Sequence, residues 1–513
     1  MVFAAWTAGI GRDEIINPGG FAQVREFFAA ALQPELGGAF LAVVWDATLI
    51  TLGYAVLGTA LAVATGLLLG LFISESWTRD RKVGPVTAGL RLVVRGALVP
   101  LRAVHEAIYA LLLVQVLGID PMVAVLSIAV PFGAVTAKVF AQMFDDIDDG
   151  PFRALRRSGA GRRQAVLYGL LPEVGPDLIA YGCYRGECAI RAAAVLGVIG
   201  AGGLGFQIKL SFQSLEYGEM WTLLYVVIAL CAVADWWSAQ LRRAWRDGTA
   251  RSARGWRRRG TYAQAAAVAL ALPAAWIYLS VDPSSIWAPR AVENFARLVG
   301  NLFPPNAAGG LGTLTEQTLS TLAMSIVAIV IAISGGFALA LIAARPTGTA
   351  PSWVRMRARA ARGVLLVLRA IPAPVWAFVF LFACYPGVVP GALALGVYNL
   401  GVLGRLMAEL SENADPLPAE TLRASGARPG QVFWYDRLPR LGPGLAALSV
   451  YRWEVTIRET VVVGLVAAGG LGAGLGQQLA AFDTHAVAAT LLALVVLTSL
   501  ADVFGGYLRR TLR

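Results

Sequence analysis

The sequence predicts an all-α polytopic membrane protein made of two parallel homologous bundles of spanning helices. The first indication is composition: 57% of the residues are hydrophobic, only 15% are charged, and the mean hydropathy is +0.64. The second is the number of apolar runs close to the roughly 20 residues that a helix needs to cross a bilayer core. The third is an internal repeat. Together these features exclude an ordinary soluble globular chain.

The repeat is clearest between Ser158 and Gly205. This stretch contains Ser-Gly-Ala, Leu-Pro, Gly-Pro, Tyr-Arg-x-Glu-x-x-x-Arg and Ala-Gly-Gly-Leu-Gly, and all of it returns from Ser425 to Gly472, at an offset of 267 residues. Solenoid repeats have periods of only about 20 to 50 residues, so this repeat indicates two fused homologous domains. We predict a first unit at 1–240, an Arg-rich linker with an additional spanning helix at 241–290, and a second unit at 291–513.

Each unit is predicted to contain five spanning helices. In the first unit they lie at 48–74, 98–117, 121–141, 177–199 and 219–240; in the second, the matched segments include 363–384 and 388–408. The apolar segment 263–280 has no counterpart at the N-terminus and brings the total to about eleven spans. Two amphipathic pieces, 21–32 and 291–303, are expected to lie along a membrane surface.

Arginine placement predicts the topology. Arginines gather in the loops that follow the first and third spans of each unit, and such loops remain in the cytoplasm. The additional span restores the orientation that five spans would invert. The two units are therefore predicted to be parallel in the plasma membrane, with the N-terminus outside and the C-terminus inside.

The net charge of +11 follows from these loops and does not indicate a nucleic-acid partner. The four cysteines lie in apolar runs without metal-ligand spacing and are expected to be buried hydrophobes. The two histidines, His105 and His485, are expected to be interfacial residues. No metal site is predicted, and no cleavable signal peptide is apparent.

A cytoplasmic docking element is predicted at Ser158, Gly159 and Ala160. These small residues lie in a helical loop and leave room for another surface to approach closely. One copy would equally suit an ordinary connector. The second copy, at Ser425, Gly426 and Ala427, favours docking.

Charged residues lie within the predicted spans, where each costs about 2.5 to 3.5 kcal/mol on insertion scales. The spacing of Glu187 and Arg191 predicts an i, i+4 ion pair, and Glu454 and Arg458 repeat it. Arg185 and Arg452 would then remain as cations suited to a passing oxyanion. The alternative is that all six charges hold the bundle together.

The glycine-rich ends of the charged spans have two readings. Residues 200–205 spell G-x-G-x-x-G, but a dinucleotide site needs a preceding strand, and the second copy has Ala467 at the first glycine. A break in the helix at the outer membrane face, suited to a gate, is the preferred interpretation. The predicted gate residues are Gly202, Gly203, Gly205, Gly469, Gly470 and Gly472.

The order of these motifs resembles that of the permease subunit of phosphonate-type ATP-binding-cassette importers, with two permease units in one chain. The resemblance implies a type I importer permease fold, and it makes the segments at Gly159 and Gly426 the coupling loops for two cytoplasmic ATPase subunits. It also implies an extracytoplasmic binding protein and a phosphonate, phosphate or phosphite substrate. Residues 102–106 and 369–373 keep only part of the family's Arg-x-Ile-Pro-Glu pattern, and Gln142 stands where Glu409 has the expected acid.

ATP hydrolysis is not expected in this chain. A P-loop needs Gly-Lys followed by Ser or Thr, and the three lysines, Lys82, Lys138 and Lys209, all lack that context. ATP and magnesium would be bound by the partner ATPases, and no cofactor is expected here. An ion-coupled secondary transporter with parallel internal repeats remains the alternative. A membrane enzyme is disfavoured because no nucleophile with a base is apparent.

Overall fold

A computed structural model describes residues 14–75, 84–148, 150–249, 255–307, 309–344, 351–467 and 469–511. In these ranges the ordered elements are helices, apart from one isolated bridge between Ile16 and Cys384. The all-α class and the two homologous bundles are confirmed.

The helices up to the end of the first repeat are α1 (Phe21–Ala30), α2 (Gly38–Ile73), α3 (Pro85–Ala103), α4 (Glu106–Leu117), α5 (Pro121–Asp146), α6 (Gly150–Arg157), α7 (Arg162–Ala165), α8 (Leu171–Leu196), α9 (Gly203–Gln213) and α10 (Tyr217–Thr249). The additional segment forms α11 (Gly255–Tyr278).

The second repeat reproduces this order. Its helices are α12 (Pro289–Asn301), α13 (Gly310–Ala343), α14 (Ser352–Ala370), α15 (Ala373–Ala383), α16 (Val388–Glu412), α17 (Leu417–Ala424), α18 (Pro429–Val432), α19 (Leu438–Ala467), α20 (Gly470–Ala480) and α21 (Thr484–Thr511).

Within the described residues, six helices are long and apolar enough to cross a membrane: α2, α5, α10, α13, α16 and α21. Four more candidates are pairs of helices joined at a bend, which brings the number to ten. The apolar part of α11, Ala266–Tyr278, is shorter than the 18 residues required. The eleventh span and the parallel orientation therefore stay predictions.

Two predicted spans are not straight helices. The span predicted at 98–117 is divided into α3 and α4, which meet at 95°, and the span at 363–384 is divided into α14 and α15, which meet at 90°. In the first repeat His105 has an extended backbone, and its ring accepts a hydrogen bond from the Ala107 amide at 3.2 Å, so it caps α4. In the second, Pro372 disfavours helical backbone at Ile371. Different local chemistry produces the same bend.

A stripe of small residues brings α2 against α5. Gly58, Ala62, Gly66 and Gly70 recur every four residues, which places them on one face of α2. A Cβ at Gly70 would lie 2.9 Å from the Ala137 carbonyl oxygen, so the two backbones nearly touch. The corresponding stripe on α13 includes Gly336, where a Cβ would lie 3.1 Å from the Gly404 amide on α16. Close approach of this kind is typical of helix packing in membranes.

The chain forms two compact units that do not coincide with the two repeats. One unit contains residues 34–298; the other contains 1–33 together with 299–513. In the latter, the Asn17 amide donates to the Ala383 carbonyl at 2.9 Å, and α1 contacts α15. In the former, Leu279, just after α11, fills the groove at Gly53 of α2. The predicted division into three parts follows the sequence repeat and not the contacts in space, so it stays a prediction.

Candidate functional site

Both predicted docking elements form the same tight turn. In the first, Gly159 ends α6 with φ +88°, its amide donates to the Arg156 carbonyl at 3.2 Å, and the Ala160 amide donates to Leu155 at 3.1 Å. In the second, Gly426 has φ +85° and the Ala427 amide donates to the Leu422 carbonyl at 3.0 Å. This is the Schellman arrangement, in which a left-handed residue closes a helix and satisfies its last carbonyls.

The hydroxyls beside the glycines reinforce the turns. The Ser158 hydroxyl donates to the Ala154 carbonyl at 2.9 Å, and the Ser425 hydroxyl donates to that of Thr421 at 3.0 Å. Ser158 and Gly159 are exposed, as are Ser425 and Gly426. Each repeat therefore presents a hydrogen-bonded, exposed turn of the same shape.

The segments that follow the turns differ in how they are fixed. Each turn is followed by a π-helical stretch, Val166–Leu170 or Phe433–Arg437. In the first, Gly169 allows contact with the Phe152 backbone, since a Cβ would lie 3.0 Å from the Phe152 Cα. The matched position in the second is Asp436, which is buried and binds Arg440 with Oδ1 2.7 Å from Nε.

Within α8, Arg185 lies among aromatic rings. Its guanidinium carbon is 5.1 Å from the centre of the Phe132 ring and 5.0 Å from that of Tyr181. Its Nε donates to the Tyr181 hydroxyl at 3.0 Å. These are cation–π and hydrogen-bonding contacts that hold the guanidinium in a fixed orientation.

The predicted ion pair between Glu187 and Arg191 is confirmed. Oε1 of Glu187 lies 3.5 Å from Nη2 of Arg191, and Glu187 is buried. The prediction that Glu454 and Arg458 repeat this pair is wrong. Glu454 instead pairs with Arg509, and Arg458 pairs with Asp502, Nη2 to Oδ1 3.2 Å. Both partners, Arg509 and Asp502, lie on α21, which brings them closer to Glu454 and Arg458 than these two residues are to each other.

The interpretation of Arg452 as an unmatched cation is also wrong. Its Nη2 lies 2.6 Å from Oε1 of Glu459, and its Nε donates to Oδ1 of Asn399 on α16. The Asn399 amide nitrogen in turn donates to Oε2 of Glu459 at 3.2 Å. The three side chains therefore form a closed network. Sequence reasoning missed Glu459, although it is a carboxylate in the same apolar span, two helical turns beyond Arg452.

The glycine clusters interrupt the helices as predicted. Gly202 and Gly203 have φ +87° and +72°, and α9 leaves α8 at 54°. Beyond the turn, a Cβ at Gly205 would lie 1.8 Å from the Ala194 carbonyl oxygen, so only glycine fits there.

The second cluster bends in a similar way: Gly470 has φ +63°, α20 leaves α19 at 56°, and a Cβ at Gly472 would lie 2.2 Å from the Val461 carbonyl oxygen. It differs at Gly469, which has an extended backbone where Gly202 has a positive φ. Gly469 packs against Met324 and Gly387, where a Cβ would lie 2.9 and 3.0 Å from the nearest atoms.

A buried threonine caps each helix that follows a glycine cluster. The Thr51 hydroxyl on α2 accepts from the Leu204 amide at 2.9 Å, and the Thr321 hydroxyl on α13 accepts from the Leu471 amide at 2.8 Å. These caps satisfy amides that the helix cannot satisfy itself. Sequence reasoning missed both threonines, although Thr51 and Thr321 lie at similar places in the two repeats.

A second pair of contacts was missed at the far ends of α2 and α13. Arg95 donates from Nη2 to the Ile73 carbonyl at 2.6 Å, and Arg362 donates from Nε to the Ala343 carbonyl at 2.8 Å. Each arginine thus binds the carboxyl end of the preceding long helix, where the helix dipole favours a cation. The signal was available, since Arg95 and Arg362 are also 267 residues apart.

The remaining candidates have local roles. His485 Nδ1 lies 3.0 Å from the Pro304 carbonyl oxygen, and His105 caps α4. All four cysteines are free thiols, and in the described ranges no group of three or more His, Cys, Asp or Glu side chains could hold a metal.

Comparison with known proteins gives a family match in both repeats. The family model described as "Binding-protein-dependent transport system inner membrane component" matches residues 66–247 and again 336–513.

Several curated proteins are similar to the chain. It is 29% identical to the Phosphate-import permease protein PhnE of Mycolicibacterium smegmatis over 467 residues, which cover 90% of this chain and 84% of that protein. It is 34% identical to the Phosphite transport system permease protein PtxC of Stutzerimonas stutzeri, over 50% of this chain and 90% of that protein.

Two solved structures of inward-facing forms of the MetNI methionine ABC transporter also match, at 22% identity and a TM-score of 0.35. The first covers 40% of this chain and 95% of that one.

Proposed function

This chain belongs to the family of inner membrane components of binding-protein-dependent transport systems. We propose that it supplies both permease halves of an importer for phosphonate, phosphate or phosphite. It receives the substrate from an extracytoplasmic binding protein, and two cytoplasmic ATPase subunits drive it. The family assignment makes the chain a membrane permease component and not the ATP-hydrolysing subunit.

The observation that carries this proposal is the duplicated turn at Gly159 and Gly426. Two exposed turns with matching backbone angles and hydrogen bonds occur in one chain. Two ATPase subunits that close together on ATP need two equivalent attachment points, and this chain supplies both. ATP and magnesium belong to those partners in the proposal.

Alternating access would follow from closure of the ATPases. Pulling the two turns together would move α8 and α19, since each turn is joined to its long helix by only a short helix and a π-helical stretch. The glycine turns at Gly202, Gly203, Gly205, Gly469, Gly470 and Gly472 would act as the outer gate. The charged residues Arg185, Glu187, Arg191, Arg452, Glu454 and Arg458 would line the path. In this scheme the C-terminus faces the cytoplasm and the N-terminus faces outward.

The substrate class rests on the relatives' names, which mention phosphate import and phosphite transport. A buried guanidinium such as Arg185 suits a tetrahedral oxyanion of this class, because it offers charge-assisted hydrogen bonds.

Reconstitution tests the proposal directly. The chain is assembled with its ATPase and binding-protein partners in proteoliposomes, and ATP hydrolysis and uptake are measured for phosphate, methylphosphonate and phosphite. We expect ATP-dependent uptake, and ATP hydrolysis that at least one of the three substrates stimulates. Uptake that is indifferent to ATP and abolished by an ionophore would instead indicate an ion-coupled secondary transporter.

A further inference from the structure

The two repeats treat the same arginine differently. Arg185 and Arg452 occupy matched positions, 267 residues apart in the Tyr-Arg-x-Glu motif. Among the contacts of Arg452 are the carboxylate of Glu459 and the amide of Asn399. The positions that match these two in the first repeat are Ala192 and Phe132, which offer a methyl group and an aromatic ring.

The Glu459 carboxylate makes the contacts with Arg452 that a bound oxyanion would make. A carboxylate oxygen of Glu459 accepts from Nη2 at 2.6 Å, and its second oxygen is held by Asn399 at 3.2 Å. The exposed fractions of the Arg452 and Glu459 side chains are only 11% and 14%, so water screens the pair weakly. Because Glu459 is tethered on the same helix, it competes with a free anion at a high effective concentration.

We propose that Glu459 acts as an internal competitor that closes Arg452 of the second repeat to oxyanions. This inference rests on the proposed function for the identity of the anion. It makes the two repeats chemically different at a matched position, with Glu459 in the second repeat and Ala192 in the first. Asn399 serves as the positioning residue, since it binds both members of the pair.

Charge balance explains why Glu459 controls whether Arg452 can bind an anion. Replacing Glu459 by the alanine found in the first repeat would leave the Arg452 guanidinium buried without its carboxylate, which is unfavourable for the protein alone. A small oxyanion can restore the lost interaction. The removal of Glu459 should therefore open an anion site at Arg452, where the Glu459 carboxylate sits in the wild-type protein.

The test is the dependence of thermal unfolding on inorganic phosphate, measured on the purified full chain in detergent at constant ionic strength. We expect Glu459→Ala to gain a saturable stabilisation by phosphate, with half-saturation at least about tenfold below any response of the wild type. Two double variants show which arginine is responsible for the stabilisation by phosphate. It should survive in Glu459→Ala with Arg185→Gln, and it should disappear in Glu459→Ala with Arg452→Gln.

Two outcomes would overturn the inference. One is a folded Glu459→Ala protein whose phosphate response equals that of the wild type; the other is a gain that the Arg185 substitution removes. Where Glu459→Ala does not fold, Glu459→Gln keeps the volume, lowers the competitor's charge and should show a smaller gain of the same kind. Because no ATPase, binding protein or uptake enters this measurement, its failure is distinguishable from failure of the proposed function.

Discussion

Gly505 on α21 lies directly against the carboxylate of Glu454 on α19. A Cβ at position 505 would come within 1.8 Å of the Glu454 Oε1 atom. Glu454 pairs with Arg509, one turn beyond Gly505 on the same helix. The missing side chain is therefore what allows α21 to bring its arginine to the buried acid.

We predict that Gly505→Ala displaces the Glu454 carboxylate and destabilises the protein by about 1 to 3 kcal/mol, the usual cost of overpacking. The measurement is the thermal unfolding midpoint of the detergent-solubilised chain. Gly506→Ala is the matched control: a Cβ there meets nothing within 4 Å. An equal effect of the two substitutions would contradict the role assigned to Gly505.

Substitution of Gly159 should weaken docking of the ATPase without disturbing the spanning helices. The site has open space around it, so the cost comes only from φ +88°, at about 1 to 2 kcal/mol for a side chain with a Cβ. We expect the recovery of ATPase subunits with the tagged chain to fall in the order Gly, Asn, Ala, Val, because asparagine tolerates the left-handed region best. The same order is expected at Gly426.

A control for the docking substitutions is Gly175→Ala. Gly175 lies in α8 with open space and ordinary helical backbone, so this change should leave ATPase recovery as it is in the wild type. If the recovery of ATPase subunits is the same whichever residue occupies position 159 or 426, these turns are not the coupling elements.

The small-residue stripe of α2 gives a third prediction. Gly70→Ala should destabilise the chain by about 1 to 3 kcal/mol, because the Ala137 carbonyl oxygen and the Phe140 Cβ would both lie 2.9 Å from the new atom. Backbone cannot move aside as a long side chain can. Gly96→Ala, on the exposed face of α3, should be neutral or stabilising. The measurement is the thermal unfolding midpoint of each variant, and equal midpoints would contradict the role assigned to Gly70.

The threonine caps give a fourth. Thr51→Val removes the acceptor of the Leu204 amide and leaves a buried donor unsatisfied, at a cost of about 1 to 3 kcal/mol. Thr51→Ser keeps the hydroxyl and should cost much less. Hydrogen exchange at the start of α9 should quicken only in the valine variant. The pair Thr321→Val and Thr321→Ser should repeat the result at α20.

Much of the architecture was readable from the sequence because it depends on local or periodic features. Apolar runs located the long helices, and the offset of 267 matched the elements of the two repeats. The glycines at 202 and 203 were correctly placed at a helix break because only their backbone freedom suits such a turn. The ion pair of Glu187 and Arg191 also depends on one helix alone.

The bends at 104–105 and 371–372 were not predicted, because the hydropathy of an apolar run does not show whether the helix axis changes direction within it. A helix interrupted by two extended residues has the same hydropathy as an unbroken one. The proline at 372 was a usable signal, but in the first repeat only the cap by His105 marks the place.

What the sequence alone determined is therefore the all-α class, the repeat, and the order in which the long apolar helices follow one another. Only the tertiary structure decided how the charged residues inside the spans pair. The i, i+4 rule describes neighbours on one helix, and it failed for Glu454 and Arg458 because α21 brings Arg509 and Asp502 to them. It gave no account of Arg452 because Asn399 comes from α16. Electrostatic partners are chosen by distance in space, and that distance is set by which helix faces pack together.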